Sequence, residues 1–334
     1  MSRKLPKKIA NYRRRYHWLR RTEVMPMGPF YINVEPTNAC NLKCHTCSLD
    51  GSRKRGVMDL DLFRQIIDQC PDAGVYEVAL FLAGEPLLNK DVPYMIEYIE
   101  SKGLESWLVT NACFLDRETS SAILDAGLSN MWISFDGDNK EDYEAMRVGA
   151  NFEEVVDNIV TFLTLKKEKG IDKPDVSIQM LKLLENPHQQ IRPEFTALFE
   201  GLPLNGIMAR NPHDWRGEKN GIKQEHWGER YFPCQVFWSA MSIAWDGRVV
   251  GCSADLNGKF IFGDLHQQTI LEIWNGEEMR RHRRLLKEQR YSELALCADC
   301  HALWYEKNPK IHIISQLPPF EQIKPVIRRF YNPR

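Results

Sequence analysis

Three cysteines in one short segment, Cys40-Asn41-Leu42-Lys43-Cys44-His45-Thr46-Cys47, constrain this chain more than any other stretch of its 334 residues. Gaps of three and then two residues let a loop wrap three thiolates around one face of a [4Fe–4S] cubane, for which Cys thiolates are the usual ligands. Such a cluster takes four ligands, so a local set of three leaves one iron open to a small molecule. A zinc half-site built on Cys-x-x-Cys and unrelated core thiols are the competing readings of an isolated triplet. The flanks argue for the cluster. Residues 30–35 alternate as an apolar-rich strand, and residues 58–67 carry apolar side chains at helical spacing. The triplet therefore sits on a strand–loop–helix unit.

That unit opens a regular alternation. The sequence predicts further strands over 75–82, 105–110, 131–135, 175–181 and 206–209, with helices over 92–102, 117–126 and 152–168. Strands alternating with helices imply parallel βα units. The expected fold class is α/β, an open, partial (β/α)6 TIM-like barrel, and such barrels place chemistry at the C-terminal ends of their strands. Polar residues gather there in order: Ala83-Gly84-Glu85-Pro86, then Thr110-Asn111-Ala112, then Ser134-Phe135-Asp136-Gly137 followed by Arg147.

With the triplet and these strand ends, the chain resembles the radical S-adenosylmethionine (SAM) enzymes over most of its length. The resemblance implies that the open iron chelates the amino and carboxylate groups of SAM. Reduction of the cluster then cleaves SAM to a 5′-deoxyadenosyl radical that abstracts a substrate hydrogen. It further implies SAM contacts at Gly84, Glu85 and Pro86, at Thr110 and Asn111, and at Ser134, Asp136 and Arg147. A guanidinium suits the SAM carboxylate because its planar fork bonds both oxygens. Ala83 and Ala112 stand where the family motifs carry Gly. Thr46 stands where many relatives have an aromatic residue packing on adenine, and His45 is not expected to be a ligand.

A second set, Cys234, Cys252, Cys297 and Cys300, lies C-terminal, with the hairpin signal Asp246-Gly247 just before Cys252. With Gly263-Asp264-Leu265 and Ile273-Trp274-Asn275-Gly276, this layout resembles the SPASM/twitch extension of radical SAM enzymes. Four cysteines fill a cubane completely; they also build structural zinc sites, and beside a radical SAM core an auxiliary [4Fe–4S] cluster is the expectation. The two sets use seven of nine cysteines and leave no ligands for a second auxiliary cluster. One fully ligated cluster would work at a distance, taking an electron from a substrate radical or holding the site's shape. After hydrogen abstraction from an alcohol carbon, electron removal gives a ketone. The auxiliary cysteine spacing is very like that of the radical SAM dehydrogenase acting on an amino-cyclitol intermediate in butirosin biosynthesis, a local likeness that does not transfer the substrate.

Dehydrogenation of a carbohydrate or cyclitol-like alcohol by an oxidoreductase is thus the leading reading. A peptide- or protein-modifying radical SAM enzyme, a maturase or epimerase, is the alternative. A non-enzymatic iron–sulfur or zinc protein leaves the strand-end motifs unexplained. Of the remaining cysteines, Cys70 is expected in the core, and Cys113 is a candidate hydrogen donor to a radical. Arg216, with His213 and Asp214 in the segment 211–217, is a candidate proton acceptor. Substrate is expected to be a small molecule or peptide, and electrons to come from a low-potential donor such as flavodoxin or ferredoxin.

Composition limits these readings without deciding them. Hydrophobic residues at 43% and charged residues at 27% are ordinary for a globular protein. No apolar run reaches the ~18 residues of a membrane span, and the start is basic rather than a secretion signal. Cysteines in metal spacing point to a reducing compartment, hence the cytoplasm. Residues 1–22 hold nine Lys or Arg and no acid although the whole chain carries a net charge of −1. With Ile9, Tyr12, Tyr16, Trp18 and Leu19 interleaved, they are expected as an amphipathic helix packed on the barrel; weak contact with an anionic surface or phosphorylated substrate is the functional alternative. The expected organisation is a basic segment over 1–27, a radical SAM core over 28–210, a SPASM/twitch domain over 211–310 and a tail over 311–334.

Overall fold

The computed structural model describes residues 5–181, 191–210 and 230–305. Helix α1 (Lys7–Leu19) precedes strand β1 (Tyr31–Val34), and the cysteine loop leads from β1 into α2 (Leu60–Ala73). Then follow β2 (Glu77–Leu80), α3 (Val92–Ser101), β3 (Glu105–Thr110), α4 (Arg117–Asp125) and β4 (Asn130–Ser134). Two helices, α5 (Lys140–Met146) and α6 (Phe152–Glu168), separate β4 from β5 (Asp175–Leu181); α7 (Pro193–Ala197) precedes β6 (Gly206–Arg210). Local chemistry sets these limits. Asp59 caps α2 by accepting from the amides of Asp61 and Leu62, and Gly74 ends it in the left-handed region at φ 75°. Asp116, Asn139 and Asn151 cap α4, α5 and α6 in the same way.

β1 to β6 run parallel in sequence order, as expected of a partial TIM-like barrel. Period-2 alternation divides each strand between two environments. Val78, Leu80, Leu108, Met131, Ile133 and Ile178 are fully buried against helix residues such as Phe63, Ile66, Ile96 and Phe162. The opposite face, with Ala79, Trp107, Trp132 and Gln179, turns to a cavity inside the barrel.

The sheet does not stop at the barrel. After β7 (Arg230–Tyr231) and the short α8 (Val236–Ser239), strand β8 (Ala240–Ile243) pairs parallel with β1, Tyr31 opposite Ala240 and Val34 opposite Ile243. A hairpin turning at Gly247 (φ 81°) joins β8 to β9 (Arg248–Val250), and β10 (Ile261–Asp264) adds antiparallel, making nine strands. Helices α9 (Ile270–Trp274) and α10 (Glu277–Lys287) follow, and β11 (Trp304–Tyr305) pairs with β7 in a separate ribbon.

Helix α1 packs under the barrel, at the end away from the strand termini. The Lys7 ammonium lies 2.7 Å from Glu77 and 2.5 Å from Glu105, the first residues of β2 and β3. Arg14 is buried, with its guanidinium 4.6 Å from the centre of the Phe30 ring. The Trp18 indole donates to the Pro233 carbonyl at 2.7 Å. The expected packing role of the basic segment is what the described residues carry. Among them no helix is long and apolar enough to cross a membrane.

Candidate active site

The loop that follows β1 is pinned at its neck. Thr37 and Val57 form an antiparallel bridge, the Thr37 hydroxyl donates to the Gly56 carbonyl at 2.7 Å, and Asn38 exchanges bonds with Lys54 and Gly56. Within the loop, the amides of Leu42 and Leu49 lie 3.4 and 3.5 Å from the sulfurs of Cys40 and Cys47. The amides of Lys43 and His45 donate to the carbonyls of Val148 and Met146. Helix α5, which the sequence reading missed, thus anchors the loop from the side.

The strand ends converge on it. Gly84, at φ 77°, has no room for a side chain: a Cβ would lie 2.5 and 2.6 Å from the carbonyls of Ala39 and Thr37. The bend is pressed against the start of the cysteine loop, and the Glu85 amide donates to Ala39 at 2.8 Å. Glu85 is buried and accepts from the Thr110 hydroxyl at 2.6 Å and the amides of Asn111 and Leu87. Burial outweighs these bonds and pushes its carboxyl upward. The side chains of Glu85 and Thr110 therefore meet each other, tying the second strand end to the third. Asn111 in turn donates to Asn41 at 2.9 Å. Asp136 and Arg147, both buried, pair at 2.9 Å. Gly84, Glu85, Thr110, Asn111, Ser134, Asp136 and Arg147 all line the central cavity, whereas Pro86 does not; it begins a short 3-10 turn.

The second cysteine set reaches the same cavity because β8 runs parallel to β1. Antiparallel β9 then runs back, Val250 opposite Ser242, so Cys252 follows it level with the first residues of β8 and β1, toward the end where Cys234 precedes α8. Cys234 stands before α8, while Cys297 and Cys300 form a turn closed by the Cys300 amide donating to the Cys297 carbonyl at 3.1 Å. All seven cysteines line one cavity of about 1190 Å³, larger than the usual site for one small ligand. Cys70 is buried in α2 with its thiol 3.3 Å from the Ile66 carbonyl, as expected of a core residue. Cys113 is bonded through its amide to Asn111 and is not among the cavity-lining residues. Arg216 and the segment 211–217 lie outside the described residues.

Two polar links, neither of them singled out from the sequence, join the cysteine-bearing segments. Glu35, at the end of β1, takes a two-pronged bond from Arg53, at 2.8 and 2.6 Å, and accepts from the amides of Ala83 and Trp245. Arg53 also donates to the Leu256 carbonyl at 3.0 Å. Asn257 donates to the Ser48 carbonyl and accepts from the Asp50 amide. An acid closing an apolar strand was the available clue to the first link.

The thiols suit a large electropositive group. Burial raises the Cys44 thiol to about 11, the neighbouring Cys40 and Cys47 adding to the rise while Arg147 opposes it. Burial, reinforced by Cys252, also raises Cys234. Thiolates crowded like this need a compensating cation, which iron ligation supplies. Among the described residues no three His, Cys, Asp or Glu side chains form a group ready to hold a single ion; the thiols are spread around a cavity.

A family model for the radical SAM superfamily matches residues 34–191, and one for an iron–sulfur cluster-binding domain, SPASM, matches 234–301. The chain belongs to the radical SAM superfamily. It carries a SPASM domain as well, and its cofactors are SAM and [4Fe–4S] clusters, one SAM-binding and one auxiliary. Curated relatives include a PqqA peptide cyclase of Rhodopseudomonas palustris, 35% identical across 33% of this chain and 29% of that protein. A probable GTP 3′,8-cyclase of Methanococcus maripaludis is 30% identical across 46% and 48%. The chain thus spans less than half the length of either. Among solved structures, BtrN in complex with AdoMet and 2-DOIA superposes with TM-score 0.56 at 19% identity, over 83% of this chain and 94% of that one. SuiB of Streptococcus suis bound to its precursor peptide SuiA gives 0.57 at 16%, over 93% and 78%. These two share the fold with the radical SAM chain described here.

Proposed function

We propose that this protein cleaves SAM reductively and oxidises a substrate bound inside the barrel. The observation that carries the reading is that both cysteine sets and the polar strand ends line one cavity. In this reading Cys40, Cys44 and Cys47 hold the SAM-binding cluster, and Cys234, Cys252, Cys297 and Cys300 hold the auxiliary one. When bound, these groups supply an electron, a 5′-deoxyadenosyl radical that takes a substrate hydrogen atom, and an acceptor for the electron left behind. The chain's own residues bind and orient. The Gly84 bend brings backbone against the cysteine loop, Glu85 holds the ends of β2 and β3 together, and the paired Arg147 and Asp136 offer charge where SAM's polar groups would sit.

Loss of a hydrogen atom from an alcohol carbon, of the hydroxyl proton to a base and of one electron to the auxiliary cluster makes a ketone. Dehydrogenation is therefore the outcome favoured here, with His213 or Asp214 as the proposed proton acceptor and Arg216, a permanent cation, as a partner for the oxygen that loses the proton. Cys113, which does not itself line the cavity, has less support as a hydrogen donor. Peptide modification is the second reading, favoured by the PqqA peptide cyclase relative and by SuiB with its precursor peptide. In either case the core over 28–210 and the auxiliary domain over 211–310 act as one site. A flavodoxin- or ferredoxin-type donor in the cytoplasm would feed it.

The test is anaerobic reconstitution followed by dithionite and SAM. About eight irons per chain and formation of 5′-deoxyadenosine are expected. Cys44→Ala should abolish SAM cleavage, whereas Cys297→Ala should leave uncoupled cleavage without product. Equal loss of cleavage in both, with the Cys297 variant folded, would overturn the division between the clusters.

A further inference from the structure

The barrel lumen has a chemistry of its own beneath the strand ends. Strand register sorts its side chains into levels. Trp107 lies level with Ala79 and Asn130; Trp132 lies level with Val109 one step higher; Ser134 and Gln179 lie opposite each other at the top. The two indoles meet edge to face, ring centres 4.9 Å apart. They form an aromatic floor under the level that carries Ser134.

None of Phe81, Trp107, Val109, Trp132, Ser134 and Gln179, which line the lumen with Asn33 and Ala79 at these levels, is charged. The charged residues elsewhere in the cavity wall, at the strand ends and at the start of β2, are already committed. Glu77 pairs with Lys7, Arg53 with Glu35 and Arg147 with Asp136, and Glu85 accepts three bonds. Lys43, Asp50 and Arg55 are exposed. Two lumen donors have no acceptor among the described residues: the indole N–H of Trp107 and the Nε2 amide of Gln179. Buried donors left unpaired are costly, so this wall has hydrogen-bonding capacity that the protein itself does not use.

We propose that the lumen is the binding site for an uncharged, saturated, hydroxylated ring, a cyclitol or a pyranose. This deepens the function proposed above and rests on it. An aromatic face is electron-rich and suits C–H hydrogens made positive by adjacent oxygens. Such a ring lies with its C–H face on the tryptophan floor, and its oxygens accept from Gln179 and Trp107. A saturated ring also presents the sp³ C–H that hydrogen abstraction requires. Among the described residues, an anionic substrate group finds no unpaired cation at these levels.

The experiment is saturation-transfer NMR on the full reconstituted chain with SAM and no reductant. The probes are myo-inositol, scyllo-inositol and D-glucose, with glucose 6-phosphate and a Gly-Ser-Tyr peptide as competitors. Transfer to the ring hydrogens of at least one neutral polyol is expected. Its affinity should fall about tenfold in Trp132→Leu and in Gln179→Leu, and severalfold in Trp107→Phe, which keeps a smaller aromatic ring and removes the donor. Circular dichroism and iron content of each variant separate lost contact from lost fold. No transfer from any neutral polyol overturns the proposal, as does affinity unchanged in Trp132→Leu and Gln179→Leu. Tighter binding of the phosphorylated sugar, or displacement by the peptide, overturns it too. 5′-Deoxyadenosine from the wild-type chain upon reduction keeps the two failures apart: its formation without polyol binding sinks the subsite alone, and its absence sinks the radical SAM reading.

Discussion

At the scale of single residues, the site is held by buried polar groups that have few alternatives. The Glu35 carboxylate satisfies four donors from three different segments, and Arg53 is its sole cationic partner in those bonds. Removing one member of a buried pair strands the other charge, so Arg53→Met should destabilise the chain by about 3–5 kcal/mol. Adding Glu35→Gln to Arg53→Met should recover part of that loss in a denaturant double-mutant cycle. Backbone conformation is equally exacting. Gly84→Ala puts a methyl into the carbonyls of Thr37 and Ala39 and should weaken SAM binding and lower stability by about 1–3 kcal/mol. Ala112 occupies φ 61°, a left-handed position where the family motif has Gly. Ala112→Gly should accordingly be neutral or stabilising, by up to about 1 kcal/mol, in thermal melts. His282 sets a pH limit. It is buried between Phe237 and Phe262, with Nδ1 2.9 Å from the Glu278 carbonyl, and burial lowers its pKa although Glu278 opposes this and Arg281 assists. The unfolded chain then takes up this proton more readily than the folded one. The corresponding stability is complete above about pH 6.5 and is lost as pH falls through the lowered folded value. Unfolding free energy should drop from pH 7 to 5.5, and drop less in His282→Phe.

At the scale of elements, most of the barrel was legible because each strand buries one face under a helix. That burial writes period 2 and period 3.6 into the sequence. β3, α6 and β5 begin and end where the pattern predicts, while β2 is shorter than the apolar run over 75–82, because Leu82 and Ala83 already belong to the bend toward Gly84. Helix α5 escaped because its seven residues bury only Tyr143; the clue was its cap, Asn139 accepting from the Asp142 amide. The cysteines and strand-end motifs could be read because ligation and tight bends fix residue type and spacing. Glu35, Arg53 and Asn257 could not, because side-chain bonds spanning from 18 to 210 positions leave no periodic trace. The same limit hid the lumen: Trp107 and Trp132 read as ordinary strand aromatics until register placed them beneath Ser134.

At the scale of the molecule, the auxiliary region is joined to the barrel by backbone rather than by side chains alone. β8 lies beside β1 although more than 200 residues separate them in sequence, and parallel pairing at that distance has no local signature. Once it forms, the two cysteine sets line one cavity, the Cys40–Cys47 loop beyond the end of β1 and Cys252 level with its start. Helix α1 packs against the end opposite the cysteine loop and touches both parts: Lys7 pairs with the starts of β2 and β3, and Trp18 bonds Pro233, the residue before Cys234. Trp18 is 4% exposed and packs edge to face on Phe232 at 5.1 Å. Its loss should therefore be felt at the auxiliary thiols as well as at the barrel floor. Trp18→Ala should cost about 3–5 kcal/mol and speed iron loss from the auxiliary cluster more than from the SAM-binding one, followed by cluster-resolved EPR during chelation. If the helix were instead a surface for anionic groups, the variant would keep its melting temperature and iron, and replacing Arg13, Arg15 and Arg20 by Gln would abolish binding to phosphatidylserine vesicles. The cations already turned inward, Lys7 and Arg14, set the expectation: the helix is the floor on which both halves of the site stand.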